Sequence, residues 1–204
     1  MSAMRVFVNL ILAALAMTAA AMAAAAPLSA AEPAPQAEVA ALTTPKERVD
    51  ALFADLKKEG DEDKARQVAD RIRLEWQDSG SATVNLLMQW ASKAIADEKQ
   101  TAALDLLDQA IALAPDYVEG WNRRATLHYQ MGNFRKSMSD INHVLALEPR
   151  HFGALAGMAT MLEAAGKDEL AMRAWQQFLD IYPSDRKAQE QLGELAEKLA
   201  GSRT

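Results

Sequence analysis

From residue 84 onward, apolar and polar positions recur with a period of 34 residues. Pro115, Pro149 and Pro183 stand 34 residues apart, and the segments leading through them read alike: AIALAPDY, VLALEPRH and FLDIYPSD. With each proline at position 32, repeats start at Val84, Val118 and Phe152. Position 4 then holds Leu87, Trp121 and Leu155, position 8 holds Ala91, Ala125 and Ala159, and position 20 holds Ala103, Ser137 and Ala171. Position 24 holds Leu107, Ile141 and Trp175, and position 27 holds Ala110, Val144 and Phe178. Such self-similarity at one fixed period marks a repeat architecture, and it is weighed before any single element. Each period predicts two antiparallel helices. Small residues at 8 and 20 let the pair approach closely, and large apolar residues at 4, 24 and 27 fill the space beside them. Gly132 and Gly166, at position 15, permit the positive backbone dihedral that ends the first helix. Proline at 32 has no N–H with which to continue the second.

A weaker copy precedes these three. With Gly60 at position 15 it starts at Lys46, and it places Val49 at 4, Leu52 at 7, Ala65 at 20, Ala69 at 24 and Ile72 at 27. Phe53 replaces the small residue at 8, and position 32 holds no proline. The step to the next repeat is 38 residues, which makes QDSGS (77–81) a longer joint. Thr44-Pro45-Lys46-Glu47 reads as a capping box with proline at the first helical position, so the fold is expected to begin there. After Pro183, Leu192, Leu195, Ala196 and Leu199 recur at helical spacing opposite Asp185, Arg186, Lys187, Glu190, Glu194 and Lys198. That is a capping helix, which hides the apolar flank of the last repeat.

The pattern resembles the tetratricopeptide repeat (TPR) family, most closely in WNRRATLHYQMGNFRKSMSDINHVLALEP. The resemblance implies an all-α, right-handed superhelical solenoid of nine stacked helices over 45–200. Within it, 46–79 is a degenerate repeat, 84–117, 118–151 and 152–185 are repeats, and 186–200 is the cap.

The first residues have a different pattern. Arg5 is followed by an apolar run from Val6 to Ala26, broken only by Asn9 and Thr18, and then by Ser29, Ala30 and Ala31. A positive start, an apolar middle and a small-x-small end form a secretory signal peptide, with cleavage expected after Ala31. The competing reading is a retained inner-membrane anchor facing the periplasm, since the run just suffices to cross a bilayer. Residues 32–44 are Pro- and Ala-rich and lack apolar periodicity, as in a disordered leader.

Composition narrows the class further. No residue of the 204 is cysteine, which excludes disulfides, thiolate metal sites and cysteine nucleophiles. The formal charge is −6, opposite in sign to what binding to a phosphate backbone requires, so no nucleic-acid partner is expected. An acidic, cysteine-free exported chain suits an oxidising periplasm, with no membrane contact once the signal is removed. No phosphate loop, dinucleotide fingerprint or hydrolase elbow is present, so the chain reads as a non-enzyme without cofactor. His128, His143 and His151 lack ligand spacing, and no metal site is expected.

What remains is the groove. In TPR folds the first helix of each pair lines a concave surface through positions 2, 5, 9, 12 and 13. The resemblance therefore implies a partner-binding wall of Asn85, Met88, Ser92 and Ile95, then Glu119, Asn122, Thr126, Tyr129 and Gln130, with Arg123 beside them. Gly153, Ala156, Thr160 and Glu163 complete it. Amides suit a backbone, while Tyr and Met serve as apolar anchors, as an extended peptide or a partner helix requires. The Lys/Asn/Arg carboxylate clamp of one TPR sub-class is incomplete, because its matching positions in the second repeat hold Met88 and Ser92. Arg124 and Asp140, at positions 7 and 23, are expected to form a structural ion pair. Trp90, Trp121 and Trp175 fall on core positions, and Trp76 is expected to plug the joint. The alternatives are self-assembly through terminal helices and, less favoured, a small-ligand site or enzyme.

Overall fold

In a computed structural model that describes residues 44–201, the described residues form nine α-helices and no strand. They are α1 (Pro45–Lys58), α2 (Glu62–Gln77), α3 (Ala82–Ala96), α4 (Gln100–Leu113), α5 (Val118–Gln130), α6 (Phe134–Leu147), α7 (Phe152–Ala164), α8 (Asp168–Ile181) and α9 (Arg186–Gly201). The expected signal peptide (1–31) and residues 32–43 of the expected leader lie outside the described residues. Among those described, no helix is long and apolar enough to cross a membrane.

The repeat chemistry works as its residue types require. Ala91 and Ala103, at positions 8 and 20, are fully buried where α3 meets α4, and Ala159 and Ala171 repeat this between α7 and α8. In the middle repeat Ser137 takes position 20, and its hydroxyl donates to the Ala125 carbonyl at 2.7 Å, so the buried polar atom has its partner. The turns at position 15 have φ of +73° at Gly132 and +67° at Gly166. The same turn in the first full repeat is made by Glu98 at φ +58°, a strained conformation for a side chain that has a Cβ. α4, α6 and α8 all end two residues before their prolines.

Each helix from α3 to α8 packs on its successor, giving an all-α helical-repeat solenoid. The first hairpin departs from the expected continuous stack of nine. Beyond their mutual contact, α1 packs on α8 and α2 on α5. The hairpin lies across the array, along the starts of α5, α7 and α9. Tyr117, just ahead of α5, donates its phenol to the Gln77 carbonyl at 2.9 Å. Trp76 stacks on His151 at 4.1 Å, Arg73 lies 4.9 Å over the Phe152 ring, and Glu62 pairs with Arg186 at 3.0 Å. On α1, Asp50 pairs with Arg150 at 2.8 Å, and the same guanidinium covers Phe53 at 4.2 Å. Trp76 thus does not plug the joint; it joins the hairpin to the turn before α7.

The physical reason lies in the features that made this copy look degenerate. Phe53, at position 8, is too large for a close helix pair and instead packs among Trp76 and Phe152. Gly60 does not take the positive φ of the true repeats; α2 is started by Asp61, whose carboxylate accepts from Lys64 N–H. The joint is a built turn. Asp78 accepts from Gly80 N–H and from the Asn85 amide, and Ser79 donates to the Asn85 carbonyl oxygen at 2.6 Å.

Moving the hairpin bares the leading face of α3. Trp90, expected in the core at position 7, is 51% exposed, and Leu86, one turn earlier, is 42% exposed. In the next repeat these positions are covered by α4. A Cβ on Gly120 would meet Ile111 at 3.3 Å, and Arg124 pairs with Asp108 at 2.7 Å. Trp121 and Trp175 do pack inward as expected, half-buried and buried.

Candidate functional site

The first helices of the three full repeats, α3, α5 and α7, lie side by side, and two clefts separate them. The α3–α5 cleft, about 200 Å³, is lined by Ser92, Ile95, Glu119, Asn122, Arg123, Thr126, Leu127 and Gln130. The α5–α7 cleft, about 180 Å³, shares Asn122 and Thr126 and continues through Tyr129, Gly153 and Thr160. Residues spread over three repeats of sequence thus converge on one surface, with Asn122 and Thr126 on the ridge between the clefts.

Not every expected groove residue is free there. Asn85 is spent on the joint. Met88 is buried in the core between α3 and α4, and with Asn85, Ser92 and Arg123 it also lines a further cleft of about 310 Å³. Arg123 donates to the Ser92 hydroxyl at 2.6 Å and to Glu119 at 3.3 Å, tying α3 to α5. The Glu163 carboxylate accepts from the Trp175 indole at 2.5 Å, which holds α7 on α8. Asn122 donates to Glu119 at 2.9 Å, while Thr126, Tyr129, Gln130 and Thr160 are exposed. Tyr129 meets Phe134 edge-to-face at 5.6 Å, and both rings keep large solvent-facing areas. Sequence reasoning missed the floor of the α5–α7 cleft: Ala125, Ile141, Gly157 and Met161. Its signal was the pair of glycines at 153 and 157, one turn apart on α7.

Glu119 links the groove to the hairpin. His151 is 2% exposed, and its Nδ1 accepts from the Ala154 N–H at 3.0 Å, capping α7. With Nδ1 taken up by the cap, the other ring nitrogen, Nε2, faces Glu119 and lies 3.7 Å from its Oε2. That is an electrostatic contact, too long for a hydrogen bond. Burial opposes ionisation of Glu119, but His151, the Asn122 amide and Arg123 together outweigh it and hold the carboxyl below the ordinary glutamate value of 4.5. A group with a depressed folded pKa contributes stability above its unfolded value and loses it as pH falls through the folded one. Glu119→Gln is therefore expected to be less stable than the parent at pH 7, with the gap shrinking below about pH 4.5. Urea unfolding at pH 7 and in acid reads this directly; a gap that does not change with pH contradicts it.

Arg124 and Asp140 meet as expected. The guanidinium makes two parallel bonds to the carboxylate at 2.9 and 2.8 Å, reaches Asp108 at 2.7 Å and lies 4.8 Å over the Trp121 ring. Three of its five N–H donors are bonded within the fold, as in a structural ion pair. No group of His, Asp or Glu among the described residues has the arrangement to hold a metal ion.

An array of helix pairs, with the first helices of three repeats side by side over two clefts, defines an all-α helical-repeat protein. A scan against protein-family models finds no match. A TPR repeat-containing protein of Rhizobium etli is 66% identical over 164 residues, covering 80% of each chain, and this chain belongs to the TPR repeat-containing proteins. Among solved structures, the first TPR domain of Spaghetti (RPAP3) bound to the HSP90 peptide SRMEEVD aligns with TM-score 0.55 at 22% identity, over 60% of this chain and 96% of that one. The TPR domain of P58(IPK) aligns with TM-score 0.53 at 19% identity, over 78% of this chain and 43% of that one.

Proposed function

We propose that this chain is a non-catalytic periplasmic interaction module that binds a peptide or helix of a protein partner across α3, α5 and α7, in envelope or complex assembly. The observation that carries this is the pair of adjoining clefts with the half-buried Asn122 and the exposed Thr126 on their common ridge: polar groups over a partly apolar floor, spread across three repeats. Concave solenoid faces serve partners in this way. A related fold holds a peptide, SRMEEVD, which is rich in acids. Here the α5 arginines already face carboxylates of this chain, so the partner segment is neutral, not acidic. The export signal read at 1–31, together with the absence of cysteine, supports a periplasmic site of action.

Self-assembly is the second reading, favoured by the exposed Leu86 and Trp90 on α3. One experiment separates the two. A photo-crosslinking residue is placed at Tyr129, in the groove, and separately at Asn142, on α6. A discrete adduct with another protein from position 129 alone is the expected result. Adducts from 142 alone, or only with a second copy of the chain, would overturn the groove reading.

A further inference from the structure

Resting on the groove reading, we propose that the α5–α7 cleft is an anchor pocket for one uncharged apolar side chain of the partner, of leucine, methionine or phenylalanine size. The two clefts of the groove are built from the same repeat positions and are similar in size but lined differently. In the middle repeat, positions 2 and 6 hold Glu119 and Arg123, whose side chains line the α3–α5 cleft beside Ser92 with an ionic link. In the last repeat the same positions hold Gly153 and Gly157. A Cβ at Gly157 would already stand 3.3 Å from Ile141 Cδ1, so any side chain there would enter the space the cleft now leaves open.

The cleft measures about 180 Å³. A buried apolar cavity of about 150 Å³ admits benzene, so this one has room for a branched aliphatic group or one aromatic ring. Ala125, Ile141 and Met161 supply apolar surface, while Asn122, Thr126 and Thr160 add amide and hydroxyl groups. No charged residue lines it. The nearest cations on α5 are engaged: Arg123 by Ser92 and Glu119, Arg124 by Asp108 and Asp140. An acidic anchor would lose its hydration without gaining a counter-charge, and a basic one would fare no better. A neutral apolar side chain has no charge to desolvate, and its entry removes its own surface and the cleft's from water. Its backbone then meets the amide and hydroxyls of the rim, the division of labour common in peptide grooves.

The test is a selection of random displayed peptides on the full chain, followed by two fillings of the pocket. Gly157→Leu fills it from the floor. Thr160→Phe fills it from an exposed position and gives up only the hydroxyl's bond to the Ala156 carbonyl one turn back on α7. Enriched peptides are expected to share one Leu, Met or Phe. Changing that residue to Ala, or filling the pocket either way, is expected to weaken binding roughly tenfold or more. Peptides that compete with the crosslink at position 129 but share no apolar residue, or that tolerate both fillings, would overturn the pocket and leave the groove standing. Peptides that bind elsewhere, or none enriched, would overturn both.

Discussion

Phe152→Ala is expected to remove about 4 kcal/mol of folding stability, within the range for deleting a buried aromatic ring. The ring is fully buried at the start of α7 and touches three separate parts of the fold. Phe53 of α1 and Trp76 of α2 approach from the hairpin at 6.5 and 5.2 Å, and Arg73 covers one face. Phe178 and Tyr182 approach from the last repeat at 6.3 and 6.0 Å. Truncation leaves a cavity that none of these elements can close without moving the others, which is the condition for a large loss. Against a total of roughly 5–15 kcal/mol for a small domain, such a loss is severe. Phe134→Ala, an exposed ring on α6, serves as the control and is expected to change stability by no more than about 0.5 kcal/mol. Urea unfolding measures both. A loss under about 1.5 kcal/mol at Phe152 would mean that the hairpin is not seated on that ring.

Asp140→Ala is the second large effect, with an expected loss of about 3 kcal/mol. Asp140 is buried and takes both parallel bonds from Arg124. Its removal leaves a mostly buried guanidinium held only by the exposed carboxylate of Asp108. The pair is weak evidence for net stabilisation, since its attraction is largely offset by the desolvation of both ions. The distinguishing expectation is therefore the double variant. Arg124→Leu with Asp140→Leu is expected to recover most of the loss, because no buried unpaired charge remains and the freed Asp108 carboxylate is exposed. If the double variant loses more than the single, the pair contributes net stability and this reading of the loss is wrong.

The array was legible because a fixed period specifies contacts between neighbours in sequence. Alanine at positions 8 and 20, glycine at 15 and proline at 32 each dictate a local geometry, and α3–α8 follow from them. The hairpin's place was not legible, because it rests on pairs far apart in sequence: Asp50 with Arg150, Trp76 with His151, Glu62 with Arg186. The sequence did carry the warning that this copy is irregular, in Phe53 at position 8, the 38-residue step and the missing proline. It carried no indication of where the hairpin goes instead. The exposure of Trp90 follows from that displacement and not from anything in α3 itself. At the groove, register placed Asn122, Thr126, Tyr129, Gln130 and Thr160 on the open face. It did not foresee that Asn85 and Met88 serve the joint and the core, since those uses arise from the joint's own geometry and the depth of α3.

Where the hairpin lies decides which faces are left for a partner: folded across the array, it leaves the leading face of α3 bare and braces the turns beside the groove. The chain has no cysteine, so two introduced thiols are the only two present. Glu62→Cys with Arg186→Cys, treated with a short thiol-to-thiol linker, reads the arrangement directly. The folded-back hairpin predicts an intramolecular cross-link between 62 and 186. A stacked first repeat would instead bring Asp70 to Trp90, as Asp108 is brought to Arg124 one repeat on. A cross-link in the Asp70→Cys, Trp90→Cys variant, with none between 62 and 186, would contradict the account.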